Sequence, residues 1–132
     1  MLTKRRPAIA LAAVCLSASA CSYVLRIKIE EWRSGAPHFS LRENSLPVIG
    51  RCPDLREFAV YPRSGNSVDY RSPLWQVRLH EGVRTCELTY GAIPSGFPET
   101  APAKPLEAGR EYRASANGWG SGGSLDFVGH VD

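Results

Sequence analysis

Apolar residues in this chain recur at every second position, and Gly or Pro interrupts the pattern before a helical stripe can develop. Twelve glycines and ten prolines in 132 residues leave little room for long helices, because both destabilise a helix interior. Alternation with period two places successive side chains on opposite faces of an extended strand. The chain is therefore expected to be all-β, built from short strands joined by turns.

Tyr23, Leu25, Ile27 and Ile29 alternate with Arg26, Lys28 and Glu30, which predicts a strand from Tyr23 to Trp32 with one apolar and one charged face. Phe39 and Leu41, after Pro37, predict a short second strand, and Leu46 to Ile49 a third, interrupted by Pro47. Phe58 and Val60 share a face between Asp54 and Pro62, and the turn-rich run Arg63-Ser64-Gly65-Asn66-Ser67 follows. Trp75, Val77 and Leu79 alternate with Gln76, Arg78 and His80. Glu81-Gly82 then reads as a hairpin turn leading back along Cys86, Leu88 and Tyr90, which share an inward face. Gly91 to Leu106, with Pro94, Pro98, Pro102 and Pro105, reads as a long irregular connection. Two last strands are expected: Glu111 to Ala116, with Tyr112 and Ala114 inward, and Leu125 to Val131, with Phe127 inward. About seven short strands at this spacing predict an antiparallel β-sandwich of immunoglobulin-like type, with a small barrel as the alternative.

The N-terminus has another character. Lys4, Arg5 and Arg6 precede an uncharged apolar run from Ala8 to Leu16, shorter than the roughly 20 residues a helix needs to cross a hydrocarbon core of about 30 Å. A charged segment, a short apolar segment and then small residues, here Ser17, Ala18, Ser19 and Ala20, make a cleavable export signal over residues 1–20. The stretch ending at Cys21 resembles the lipobox of bacterial lipoproteins, in which small residues precede a cysteine that is acylated and becomes the new N-terminus. The family most often has Leu where this chain has Ala18. The resemblance implies lipid attachment at Cys21 and membrane anchoring through that lipid, while the remaining 112 residues, 21–132, are the size of one ordinary domain. Ser22 follows the cysteine, where inner-membrane retention in the family goes with Asp, which further implies an outer-membrane location facing the periplasm. Ala18-Ser19-Ala20 also fits the A-x-A site of ordinary signal peptidase, which would release a plainly secreted protein. Pro7 and Ala8 after Arg5-Arg6 do not match a twin-arginine signal.

Once the signal is recognised, the four cysteines separate by role. Cys15 leaves with the signal and Cys21 takes the lipid, so Cys52 and Cys86 remain, and an oxidising envelope makes a disulfide between them the expectation. Two buried free thiols are the alternative. The run Cys86-Glu87-Leu88-Thr89-Tyr90-Gly91, with Ile93-Pro94-Ser95-Gly96-Phe97, is similar to proteobacterial lipoproteins that lack an assigned role, and adds no chemistry.

The formal charge of +3 comes from 16 Lys and Arg against 13 Asp and Glu, but Lys4, Arg5 and Arg6 belong to the signal, so the mature chain has 13 of each. A neutral chain gives no electrostatic footprint for nucleic acid, and none is expected as a partner. His38, His80 and His130 lie far apart and outside any zinc-ligand spacing, so no metal or cofactor is expected. Ser64-Gly65 and Ser95-Gly96 are turn serines without the G-x-S-x-G elbow. Glu30 and Glu31 should point to opposite faces of a strand, and Asp54 with Glu57 should flank a turn, so neither pair sets two carboxylates across a cleft. Gly118-Trp119-Gly120-Ser121-Gly122-Gly123 matches no phosphate-binding loop and reads as a mobile hairpin tip. On it Trp119 is either a contact anchor for a partner or glycan, or a cap folded back over the end of the domain.

These readings converge on a non-catalytic envelope lipoprotein that displays a binding module, with an enzyme of dispersed active-site residues as the alternative. Only Cys21 and Ser22 separate the lipid from Tyr23, so the expected partner is a membrane-proximal envelope protein or the envelope surface, reached through Trp119 or the Gly91 to Leu106 connection.

Overall fold

A computed structural model describes residues 23–45, 48–93 and 97–130; the signal segment, Cys15, Cys21, Ser22, Leu46, Pro47, Ser95, Gly96 and Val131 lie outside the described residues. The chain is all-β, as expected, with ten strands and no helix among the described residues. They are β1 (Tyr23–Arg33), β2 (Ala36–Ser45), β3 (Val48–Arg51), β4 (Asp54–Ser64), β5 (Ser67–Val68), β6 (Trp75–Arg84), β7 (Glu87–Thr89), β8 (Glu99–Ala101), β9 (Glu111–Gly118) and β10 (Ser121–Val128).

Hydrogen bonding draws one continuous path, β3-β2-β1-β10-β9-β4-β6-β8, with β5 beside β4 and β7 beside β2. Neighbours are antiparallel except β1 and β10, which run parallel with Tyr23 opposite Ser121 and Val24 opposite Gly122. Ser34 and Gly35, with φ of 51° and 78°, form the two-residue turn that suits a right-twisted hairpin. That turn lets β2 start at Ala36 and run longer than the short strand expected there.

The expected reversal at Glu81-Gly82 does not occur. β6 runs on past it, still on β4, and the extra residues are taken up as a bulge, with Arg78 opposite Glu57 and Val83 opposite Leu55. The chain then turns a corner at Thr85 and Cys86, and β7 pairs not with β6 but with β2, Phe39 opposite Leu88. At this corner the Leu41 amide donates to the Cys86 carbonyl at 2.7 Å, and the Tyr90 amide to that of Pro37 at 3.0 Å. The continuation of β6 into β7 thus links the β4 side of the sheet back to β2.

The Cys52–Cys86 disulfide forms at that corner, with Cα atoms 4.7 Å apart and a sequence separation of 34. Cys86 is half-buried at the bend rather than inward with Leu88 and Tyr90. The Thr85 amide donates to the Pro53 carbonyl at 3.0 Å beside it.

Inside the curled sheet an aromatic chain runs from Phe127 to Phe39 (5.9 Å), Phe58 (4.9 Å), Trp75 (5.8 Å) and Tyr90 (5.3 Å between ring centroids). Leu41, Leu55, Val60 and Val77 fill the space around it and are fully buried. Such ring pairs add about 0.5–1.5 kcal/mol each beyond their buried area. The Gly91 to Leu106 connection is less irregular than expected. It contains β8, buries Phe97, and is pinned by the Tyr90 hydroxyl, which donates to the Lys104 carbonyl and lies 3.3 Å from that of Leu74.

Two expectations about carboxylates change. A register shift between Ile29 and Glu31 makes Glu30 a bulge residue, and both glutamates are exposed, Glu30 accepting from Ser40 and Glu31 from Arg33. Asp54 and Glu57 lie on β4 rather than around a turn, because the strand starts at Asp54.

Candidate functional site

The pairings place Tyr23, Asp54, Arg84, Gly118 and Ser121 at one end of the sheet. Trp119 occupies the turn there. The glycine-rich tip is shorter than its sequence suggested, since β9 runs to Gly118 and β10 starts at Ser121, leaving Trp119 and Gly120 between them. Gly120 supplies the positive φ, 71°, that the turn needs.

Trp119 is 57% exposed yet held in place. Arg56 is an extra residue on β4, skipped in its pairing with both β6 and β9, and such bulges redirect a side chain. Its guanidinium carbon stands 4.1 Å from the centroid of the Trp119 ring, in cation–π range. The ring also packs over Gly82, where an added Cβ would meet Trp119 Cδ1 and Nε1 at 2.9 Å and Asp54 Cβ at 3.0 Å. Trp119 therefore folds back on the sheet and still offers an aromatic surface.

The same end carries Arg84, 3.8 Å from Asp54. The Ser121 hydroxyl donates to the buried Glu43 carboxylate at 3.0 Å, and Arg51 lies 3.4 Å from the same carboxylate. Val24 is an exposed apolar residue here, opposite Gly122.

The opposite end holds an open cleft of about 480 Å³ lined by Pro62, Arg63, Ser64, Gly65, Ser67, Asp69, Arg110 and Glu111. Its charges are largely engaged with one another. Arg63 donates to the Gly65 carbonyl at 2.6 Å and pairs with Glu111 at 3.4 Å, while Glu111 accepts from the Gly65 amide. Behind it Arg113 grips Asp126 through two hydrogen bonds of 2.6 and 2.9 Å and donates to the Tyr70 hydroxyl at 3.2 Å. The Arg113 hydrogen bonds hold the Asp126 carboxyl below its usual range.

The residues singled out in the sequence do not converge. His38 sits half-buried, bonded to Thr89 Oγ1 at 2.7 Å and 3.7 Å from Glu87. The His130 ring stands 5.7 Å from that of Trp32, and the His80 side chain lies outside the described residues. Ser64 is exposed at the end of β4. Among the described residues no group of three or more His, Cys, Asp or Glu could hold a metal ion. Arg56 escaped the sequence reading, because nothing in Leu55-Arg56-Glu57 signals a bulge. Comparison with protein-family models, curated proteins and solved structures finds no match to this chain.

Proposed function

We propose that this chain is a non-catalytic lipoprotein of the bacterial cell envelope, anchored through Cys21 in the outer membrane and presenting one β domain to the periplasm as an interaction module. The observation that carries this reading is the start of the fold: β1 begins at Tyr23, two residues after the acylatable cysteine, so the lipobox-like segment leads straight into a folded domain. The Cys52–Cys86 bridge accords with an oxidising compartment. The charged cleft favours a structural or recognition role over catalysis, since its arginines and carboxylates are bound mainly to each other.

On the finer type of fold, the expected sandwich competes with a small barrel. The β6 to β7 corner, hydrogen-bonded to β2, favours the barrel.

The test of the anchor is membrane fractionation of the parent and a Cys21→Ala variant, with intact mass of the exported protein. The parent should pellet with membranes and carry acyl mass on Cys21, and the variant should be released. Equal solubility of the two forms would sink the lipoprotein reading in favour of plain secretion.

A further inference from the structure

We infer that the Trp119 end of the sheet is a second membrane contact, made by the protein itself: Trp119, Val24, Arg56 and Arg84 rest in the phospholipid headgroup layer. This rests on the lipoprotein reading above.

Position is the first support. Tyr23 pairs with Ser121, two residues beyond Trp119, and the two residues from Cys21 to Tyr23 reach only about 7 Å at full extension. A lipid on Cys21 therefore brings this end of the sheet to the headgroups and turns the Arg63 cleft away from them.

Chemistry is the second. Trp119 and Val24 are more than half exposed, and tryptophan settles at the headgroup level because its ring is apolar and its N–H is polar. Arg56 and Arg84 have long apolar stems with charged tips, a shape suited to an interface. Asp54 and Glu81 share this end, so it is not uniformly cationic. Mixed charge of this kind suits zwitterionic headgroups, with guanidinium toward phosphate and carboxylate toward ammonium.

Energetics are the third. One tryptophan and two arginines bind a bilayer weakly, but a tether makes the encounter intramolecular, with an effective concentration of roughly millimolar for a short linker. Holding Trp119 between Arg56 and Gly82 lowers the ordering cost of the contact further.

The test uses the mature chain starting at Cys21. With Cys52 and Cys86 bridged, Cys21 is its one free thiol, and it is coupled to maleimide lipid in phosphatidylcholine and phosphatidylethanolamine vesicles whose acyl chains are brominated near the headgroup. Trp75 is fully buried, and Trp32 lies at the far end of β1, about 30 Å from Tyr23. The difference between the parent and Trp119→Phe therefore isolates Trp119. The expected result is quenching by brominated lipid, and shielding from acrylamide, that the parent shows and W119F lacks. Equal emission changes in the two proteins, with unchanged circular dichroism, would overturn the surface. Absence of acyl mass on Cys21 of the exported protein would overturn the lipoprotein reading, and with it the contact in the cell, whereas the vesicle arm tests the surface alone.

Discussion

The Arg56 guanidinium carbon lies 4.1 Å from the centroid of the Trp119 ring, so a bulge residue of β4 clamps the side chain that leads the β9–β10 turn. A cation over an exposed indole contributes about 0.5–1 kcal/mol. The clamp converts a glycine-flanked tip into a fixed feature of the surface, and its other half is Gly82.

Gly82→Ala should dislodge the ring. An added Cβ meets Trp119 at 2.9 Å and Asp54 Cβ at 3.0 Å, and the indole can yield because it is at the surface. The expected cost is about 1 kcal/mol, with Trp119 more open to acrylamide. Gly123→Ala offers the contrast, because there the Cβ would come within 1.9 Å of the Leu25 carbonyl oxygen. Backbone cannot step aside without parting β1 from β10, so the loss should be about 3 kcal/mol or more. Urea denaturation of both variants checks the order; a Gly123→Ala protein as stable as Gly82→Ala would contradict it.

The disulfide should matter most to the corner where β6 passes into β7. It joins the β3–β4 connection to the β6–β7 corner across a separation of 34 residues, and restraining the unfolded chain over such a span stabilises by roughly 3–4 kcal/mol in the chain-entropy model. A Cys52→Ala, Cys86→Ala double variant should lose that amount in guanidinium denaturation. Adding reductant should lower the parent toward the variant and leave the variant unmoved.

Asp126 sets a small acid-dependent contribution. Its folded-state pKa is lowered, chiefly by the Arg113 hydrogen bonds, so the stabilisation is complete above the unfolded carboxylate pKa and disappears as pH falls through the folded value. The pair is partly exposed, which limits it to below about 1 kcal/mol. Asp126→Asn should therefore be slightly less stable than the parent at neutral pH, and the gap should close in acid. A gap that widened on acidification would reverse the sign argued here.

Local pattern made the strands legible and long-range pairing did not. Strict alternation from Leu25 to Ile29 announces β1, and Phe39 and Leu41 announce β2, because period two exposes one face whatever the neighbour. The Cys52–Cys86 pair was legible by elimination. The parallel contact of Tyr23 with Ser121 was not, since no turn connects those strands and residue type does not encode which edge a strand joins. Glu81-Gly82 misled for a related reason: Gly in a strand can mark a turn or a close approach, and only the position of Trp119 decides between them. Trp119 stands out in the sequence by its rarity on a glycine-rich loop, but Arg56, its partner, carries no local signal.

Phe39 is where the packing inside the sheet can be tested from within. It is fully buried, its strand is flanked by β1 on one side and β7 on the other, and its ring meets Phe58 at 4.9 Å and Phe127 at 5.9 Å. Removing the ring leaves a cavity bordered by Phe58 of β4 and Phe127 of β10. Phe39→Ala should cost about 3–5 kcal/mol, and Phe39→Leu clearly less, because most of the volume is retained. Val128→Ala, at an exposed position, sets the baseline within about 0.5 kcal/mol of the parent. Guanidinium midpoints of the three variants give the answer, and a Phe39→Ala loss no larger than that of Val128→Ala would mean that the aromatic chain does not hold the curled sheet together.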